Sequence, residues 1–331
     1  MTAPRAALRR AAPLLTAVVR RVAFGMAVVV LVAAFAFAIA RLTRPWAYGG
    51  ATGLSAVLQG LERAFLHFDF GHACGWPGCP PVRTLWARGA AADVWMLFGT
   101  VALGVWGGFA LGLWCAAHRG TRRARIVEVA AMVLLCTPVY VVGLGLLLLF
   151  DPSFGRWPLP LFFNAAPPVP LSPLSAPWEW LRALLVPWLV AAGPLAAMCL
   201  RLVLSLVREE LGTDYIRTAY AKGLPHQRVI RRHAGPFAQA GTASLVGVSA
   251  SLVVTNLVLV EYVFSVPGFF LHTWRASSHV PDYVCRRCVL PDLDMLAAIT
   301  VWAAVFVVVL GAATDFALAR IDPRVRTRAR S

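Results

Sequence analysis

Six apolar stretches of this 331-residue chain, each 18 residues or longer and free of Asp, Glu, Lys and Arg, stand out: 22–40, 94–117, 129–150, 183–200, 234–260 and 295–314. A helix rises about 1.5 Å per residue, so roughly 18–20 residues cross the ~30 Å hydrocarbon core of a bilayer. Backbone N–H and C=O groups find no water there, and separate apolar stretches satisfy them only as helices. The sequence therefore predicts an all-α membrane protein with about six transmembrane helices at those positions. Composition agrees: 59% of the residues are hydrophobic and 14% charged, against about 25% charged in a soluble domain. Gly104, Gly107, Gly108, Gly112, Gly143 and Gly145 lie inside two of the stretches. In a membrane such residues let helices approach closely, and Gly108 with Gly112 forms a small-xxx-small pair.

The net charge of +16 would suit nucleic acid only if the basic residues gathered on one soluble face. Here they are divided among apolar stretches, which excludes nucleic acid as a partner and leaves lipid. Segments 1–21, 118–128, 201–233 and 315–331 hold five, four, seven and five Lys and Arg, 21 of the 31 in the chain. The alternate loops 41–93, 151–182 and 261–294 hold ten. Basic loops stay inside, so the sequence predicts both termini in the cytoplasm. Residues 1–21 then form a cytoplasmic segment, 22–320 the transmembrane domain and 321–331 a basic cytoplasmic tail. The first stretch follows Arg20 and Arg21 and ends at Ala38-Ile39-Ala40, features shared with secretory leaders; it is longer than a leader's apolar core and reads as an uncleaved helix. Trp157, Trp178, Trp180 and Trp188 lie near stretch ends, where indole favours the interface. The loop 151–182 is rich in Pro and reads as extended coil.

Cys115, Cys136 and Cys199 fall in apolar stretches, as small core residues do. Cys74 and Cys79 share one exterior loop, and Cys285 and Cys288 another. An oxidising exterior admits a local disulfide in each; free thiols are the alternative. The CxxC at Cys285 and Cys288 also has metal or redox spacing, but it lacks two further ligands and a βαβ setting. No metal cluster, carboxylate dyad or catalytic triad is evident, and the stretches lack the paired ionisable residues of a membrane enzyme or a stand-alone secondary transporter.

Residues 207–233 are too polar to span. Asp214 reads as a helix N-cap, Tyr215 to Lys222 as a short helix, and Gly223 as its stop. Pro225 suits the first turn of a second short helix carrying Arg228, Arg231 and Arg232. Tyr215, Ala219 and Lys222 share a face, with Ala219 and Gly223 small neighbours one turn apart. Two readings stand: a small-residue face gripped by a partner, or an amphipathic helix on anionic headgroups. In the fifth stretch Thr242, Ser249 and Asn256 recur every seven residues, with Glu261 just beyond. They line a solute path or bond between helices. Phe264, Pro267 and Gly268 follow, as an exterior gate, a contact for a delivering protein, or a plain turn. Asp93 and Glu128, at stretch ends, read as interfacial.

The residues DYIRTAYAKGL at 214–224, with RRH at 231–233, resemble the cytoplasmic coupling loop of ABC-importer permeases, most closely the dipeptide/oligopeptide/nickel branch. Arg217-Thr218-Ala219 stand where the family has Glu-Ala-Ala, and Gly223 at its closing glycine. EYVFSVPGFF at 261–270 resembles that branch's signature after the fifth helix, and Ile321-Asp322-Pro323-Arg324 its terminal Asp-Pro-Arg. HFDFGHA at 67–73, PPVRTLWAR at 80–88 and LGLWCAAHRGTRR at 111–123 are similar to its first half. The resemblance implies a type I importer half in the inner membrane. Tyr215, Arg217, Thr218, Ala219, Tyr220, Lys222 and Gly223 would couple it to a cytoplasmic ATPase that binds ATP and Mg. A second, homologous permease subunit and an extracytoplasmic solute-binding protein would complete the system. The chain itself has no GxxxxGK[ST] phosphate loop. The resemblance implies peptides as solute, with nickel or another small solute as the alternative.

Overall fold

The computed structural model describes residues 20, 23–40, 54–74, 76–151, 157, 173–277, 280–281, 289–290 and 292–321. Four helices are long and apolar enough to cross a membrane alone: α1 (Ala23–Ala40), α3 (Val82–Ala117), α6 (Pro177–Glu210) and α12 (Leu293–Ile321). Two more spans are broken. Helix α4 (Arg122–Cys136) meets α5 (Val139–Phe150) at 108°, and His226–Val248, which ends in α9 (Gly235–Val248), meets α10 (Ala250–Phe264) at 60°. Counting each bent pair as one span gives six, in the six expected places. The third and fifth are corrected from straight rods to angled pairs.

The first break has a local cause. Pro138 has no N–H, and its ring forces Thr137 out of the helical region to φ −94°, ψ 127°. The Thr137 N–H and hydroxyl both donate to Val133 O, at 2.9 and 2.8 Å, and close α4. With 12 residues, α5 reaches only about 18 Å, too short to cross unaided. At the second break Ser249 sits at φ −89°, ψ 5°, donating its N–H to Leu245 O at 2.9 Å.

The other helices among the described residues are α2 (Leu54–Leu66), α7 (Asp214–Ala221), α8 (His226–Val229) and α11 (Thr273–Ser277), with a π-helical turn at Ile230–Ala234 and a 3-10 turn at Phe270–His272. Val280 and Leu290 pair in a two-stranded antiparallel ladder of β1 (Val280–Pro281) and β2 (Val289–Leu290). Helix α6 outruns its apolar stretch at both ends. Pro177 starts it at a position where a missing N–H costs nothing, so the end of the Pro-rich loop is helical rather than extended.

The described residues fall into two compact units, one from Met1–Thr84 and Arg275–Ser331, the other Leu85–Trp274. In the first, α1, α2 and α12 pack through Val29, Ala33, Phe37, Ala64, Ala297 and Val301. Gly71, at φ +91°, turns the chain before α3, and a Cβ there would enter the Asp294 carboxylate. Cys74 and Cys79 are joined by no disulfide. Hydrogen bonds hold this turn instead, from Cys79 N–H to Trp76 O and from Ala73 N–H to Pro80 O. Cys285 and Cys288 lie outside the described residues.

In the second unit α6 is central and packs against α4, α9 and α10. Helix α3 approaches it on a glycine face, as the small-residue pair predicts. An added Cβ on Gly108 would meet the Ala196 carbonyl oxygen and lie 2.6 Å from Cys199 Cβ; one on Gly112 would lie 2.8 Å from Val203 Cβ. Gly107 and Gly145, expected to share this role, face open space. Trp188 is buried, its indole N–H donating to Trp95 O at 3.0 Å, and Trp180 packs edge-on to both Trp95 and Trp188. These two tryptophans serve internal packing rather than an interface belt, while Trp157 and Trp178 are exposed.

Candidate functional site

Two sites stand out, both in the Leu85–Trp274 unit. The first is the polar hairpin between α6 and α9. Thr213, not Asp214, takes the N-cap of α7, at φ −80°, ψ 154°. Its hydroxyl donates back to Glu210 O at 2.7 Å. Asp214 is the first helical residue, where its charge still complements the helix dipole. At the other end Gly223 takes φ +76°, with its N–H on Tyr220 O and the Leu224 N–H on Ala219 O. This paired closure satisfies the last carbonyls and needs a left-handed residue, hence glycine. Helix α8 then folds back, capped by Pro225.

The hairpin has its own core: Ile216, Ala219 and Val229 are buried, with Leu211 and Leu224 against them. Ala219 therefore faces inward, and the expectation that it seats the helix against a partner is corrected. The outward surface carries Tyr215, Arg217, Thr218, Tyr220 and Lys222, with Gly223 in the open. Tyr215 hydrogen-bonds Glu210, and Tyr220 bonds His226 Nδ1 at 2.6 Å with the rings stacked. Partial burial and the hydrogen bond to Glu210 push the Tyr215 phenol up to about 12, and burial raises Tyr220. Both phenols are neutral donors at physiological pH. Arg217 and Asp214 pair at 3.2 Å on the open surface, which contributes little to stability.

The second site lies at the far end of α10. Ser265 takes φ +51°, with its N–H on Tyr262 O and the Val266 N–H on Glu261 O at 3.0 Å. Pro267 then kinks the chain, and the Gly268 N–H reaches Val266 O at 2.7 Å. This doubled-back segment drives Val266, Phe269 and Phe270 into the core, with both phenylalanines at 0% exposure. It packs directly on α3. A Cβ on Gly89 would lie 2.6 Å from the Gly268 carbonyl carbon. A Cβ on Gly268 would strike Asp93 Oδ1 and Glu261 Oε2 together. The Phe269 N–H donates to Asp93 Oδ1 at 2.7 Å. Asp93 is thus fully buried beside Glu261, a correction to its reading as interfacial. Sequence reasoning missed it because Asp93 borders an apolar stretch that the helix overruns by 12 residues. Glu128, by contrast, is half-exposed and lies 3.7 Å from Arg208.

The polar line of the fifth stretch also turns inward. Thr242, Ser249, Asn256 and Glu261 are all buried. The Thr242 hydroxyl bonds Ala238 O of its own helix at 2.8 Å, and the Ser249 hydroxyl has no partner. The outward stripe is instead Val248, Leu252, Thr255, Leu259 and Tyr262, at spacings of 4, 3, 4 and 3. Phe264 packs near Gly143 of α5.

Up to six apolar spans, two of them hinged in mid-course, with a structured polar hairpin between them, define a multi-pass membrane protein. The chain belongs to the family of binding-protein-dependent transport system inner membrane components, whose model matches residues 108–327. It is 29% identical over 235 residues to the oligopeptide transport system permease protein OppB of Mycobacterium tuberculosis, covering 70% of this chain and 67% of that one. It is 28% identical over 232 residues to the dipeptide transport system permease protein DppB of Haemophilus influenzae, covering 66% of each. A 156-residue match to DppB of Lactococcus lactis is 31% identical and covers 47% of this chain and 48% of that one. The protein is a multi-pass inner-membrane transport component.

Proposed function

We propose that this chain is one permease subunit of an ATP-driven importer for peptides, coupled to a separate ATPase through the α7–α8 hairpin. The carrying observation is that hairpin: two short helices, closed by a left-handed glycine, with a private core and an outward face of Tyr215, Arg217, Thr218, Tyr220 and Lys222. A lever must be stiff and must present exposed side chains to be gripped; the private core supplies the first and the outward face the second. The names of the matched relatives support peptides as solute. ATP and Mg would be bound by the partner ATPase, and a solute-binding protein would deliver from outside. The distribution of basic residues supports cytoplasmic termini and a cytoplasmic hairpin.

A second permease subunit would meet the outward stripe from Val248 to Tyr262. Thr255 gives that stripe a polar point for solute, while Thr242, Ser249 and Asn256 brace it from behind. Phe264, Pro267 and Gly268 would serve the outer mouth. The test is co-purification from native membrane. Wild-type protein should bring an ATPase with it, and the double variant Tyr215→Ala/Tyr220→Ala should insert normally yet lose the ATPase and uptake. Undiminished ATPase recovery and uptake in the variant would sink the assignment.

A further inference from the structure

Two carboxyl groups in contact inside a protein cannot both be charged without heavy repulsion; sharing one proton relieves it. Asp93 of α3 and Glu261 of α10 are both at 0% exposure and press on the same point of the Gly268 backbone. Their environments differ. Asp93 Oδ1 accepts the Phe269 N–H at 2.7 Å. No donor stands in hydrogen-bond geometry to either oxygen of the fully buried Glu261; the Leu271 backbone N–H and the Asp93 carboxyl are its polar neighbours. A carboxylate that accepts an N–H bond of 2.7 Å keeps its charge more readily than one whose nearest N–H lies outside bonding geometry.

We propose that Asp93 and Glu261 form a proton-binding site: Glu261 carries the proton and donates its O–H to the Asp93 carboxylate, and this bond locks the 266–270 segment onto α3. One proton enters per pair and no other group changes state. The lock joins three elements, because Asp93 holds Phe269 on one side and Glu261 on the other. Losing the proton puts two negative charges against Gly268 and drives the segment off Gly89. The inference concerns the segment's attachment and does not depend on the solute.

The other titratable groups near this end are Arg88 on α3, Glu179 and Arg182 on α6, Tyr140 on α5, Tyr262 on α10 and His272. Arg88, Glu179, Tyr140 and Tyr262 are exposed, Arg182 and His272 half-buried, with the His272 ring against Phe269.

Infrared spectroscopy of the full-length protein in liposomes tests the site. At neutral pH, where surface carboxyls are ionised, wild type should retain the carbonyl stretch of one protonated carboxylic acid. Glu261→Gln should abolish that band, because an amide N–H replaces the acid O–H on Asp93 and the fold is kept. Hydrogen exchange of the 262–272 peptide gives the second readout. Corrected for base catalysis, wild-type protection should collapse as pH rises into the alkaline range, and Glu261→Gln should hold its protection throughout. A wild-type spectrum without a protonated acid at neutral pH would overturn the proposal, and that measurement needs no variant to fold. Protection that falls equally with pH in both proteins would overturn it as well.

Discussion

Adjacent glycines on α3 should respond in opposite ways to the same added methyl group. At Gly108 the new Cβ would lie 2.6 Å from Cys199 Cβ and collide with the Ala196 carbonyl oxygen. Carbon atoms rest at about 3.5–4.0 Å, so α3 and α6 must part by roughly 1 Å. The neighbouring glycines share that seam, with Gly104 against Leu195 and Gly112 against Val203, so the whole contact loosens. Overpacking of this kind costs about 1–3 kcal/mol. At Gly107 an added Cβ meets nothing within 4 Å, and alanine in a helix is favoured over glycine by up to about 1 kcal/mol. Gly108→Ala should therefore lower the unfolding midpoint in a titration from mild to denaturing detergent, and Gly107→Ala should leave it or raise it. Equal losses in the two variants would refute the reasoning, because helix propensity is matched between them and only what each glycine faces differs.

Gly223→Ala places a side chain at φ +76° with open space around it; it should cost about 1–2 kcal/mol, fray the hairpin by hydrogen exchange, and leave membrane insertion intact. Gly223→Trp should in addition uncouple ATP hydrolysis from uptake in the reconstituted importer, and normal uptake would count against the lever. The Tyr215 phenol is raised to about 12, so the neutral form is favoured in the fold. Its contribution is complete below the ordinary value near 10 and is lost as pH climbs from there through about 12. Ultraviolet titration should show a phenol ionising near 12 that Tyr215→Phe removes.

The number and placement of the spans were legible because the bilayer imposes one rule on every apolar stretch. The two bends were less so. Pro138 announced itself, but a proline inside a membrane helix need not end it, as Pro187 and Pro194 lie within the continuous α6. Ser249 carries no such mark, and its departure from helical geometry belongs to the packing around it. The turn chemistry of the hairpin was written in Gly223 and Pro225. What local pattern does not encode is which side of α7 faces its own chain. Ala219 is small enough to admit a partner, yet Val229, ten residues on, fills that space first. The seven-residue recurrence of Thr242, Ser249 and Asn256 marked a true face and left its direction open. Asp93 was hidden because hydropathy sees where an apolar stretch ends, not where a helix does.

Because the interior of the α7–α8 hairpin is closed by its own Ile216, Ala219 and Val229, selection on its inside and on its outside can proceed independently. If the hairpin docks on an ATPase as proposed, its outer residues could drift toward a different motor protein while the folded shape persists, and specificity for that companion could be rewritten at the tyrosines and basic residues without redesigning the spans that feed into them.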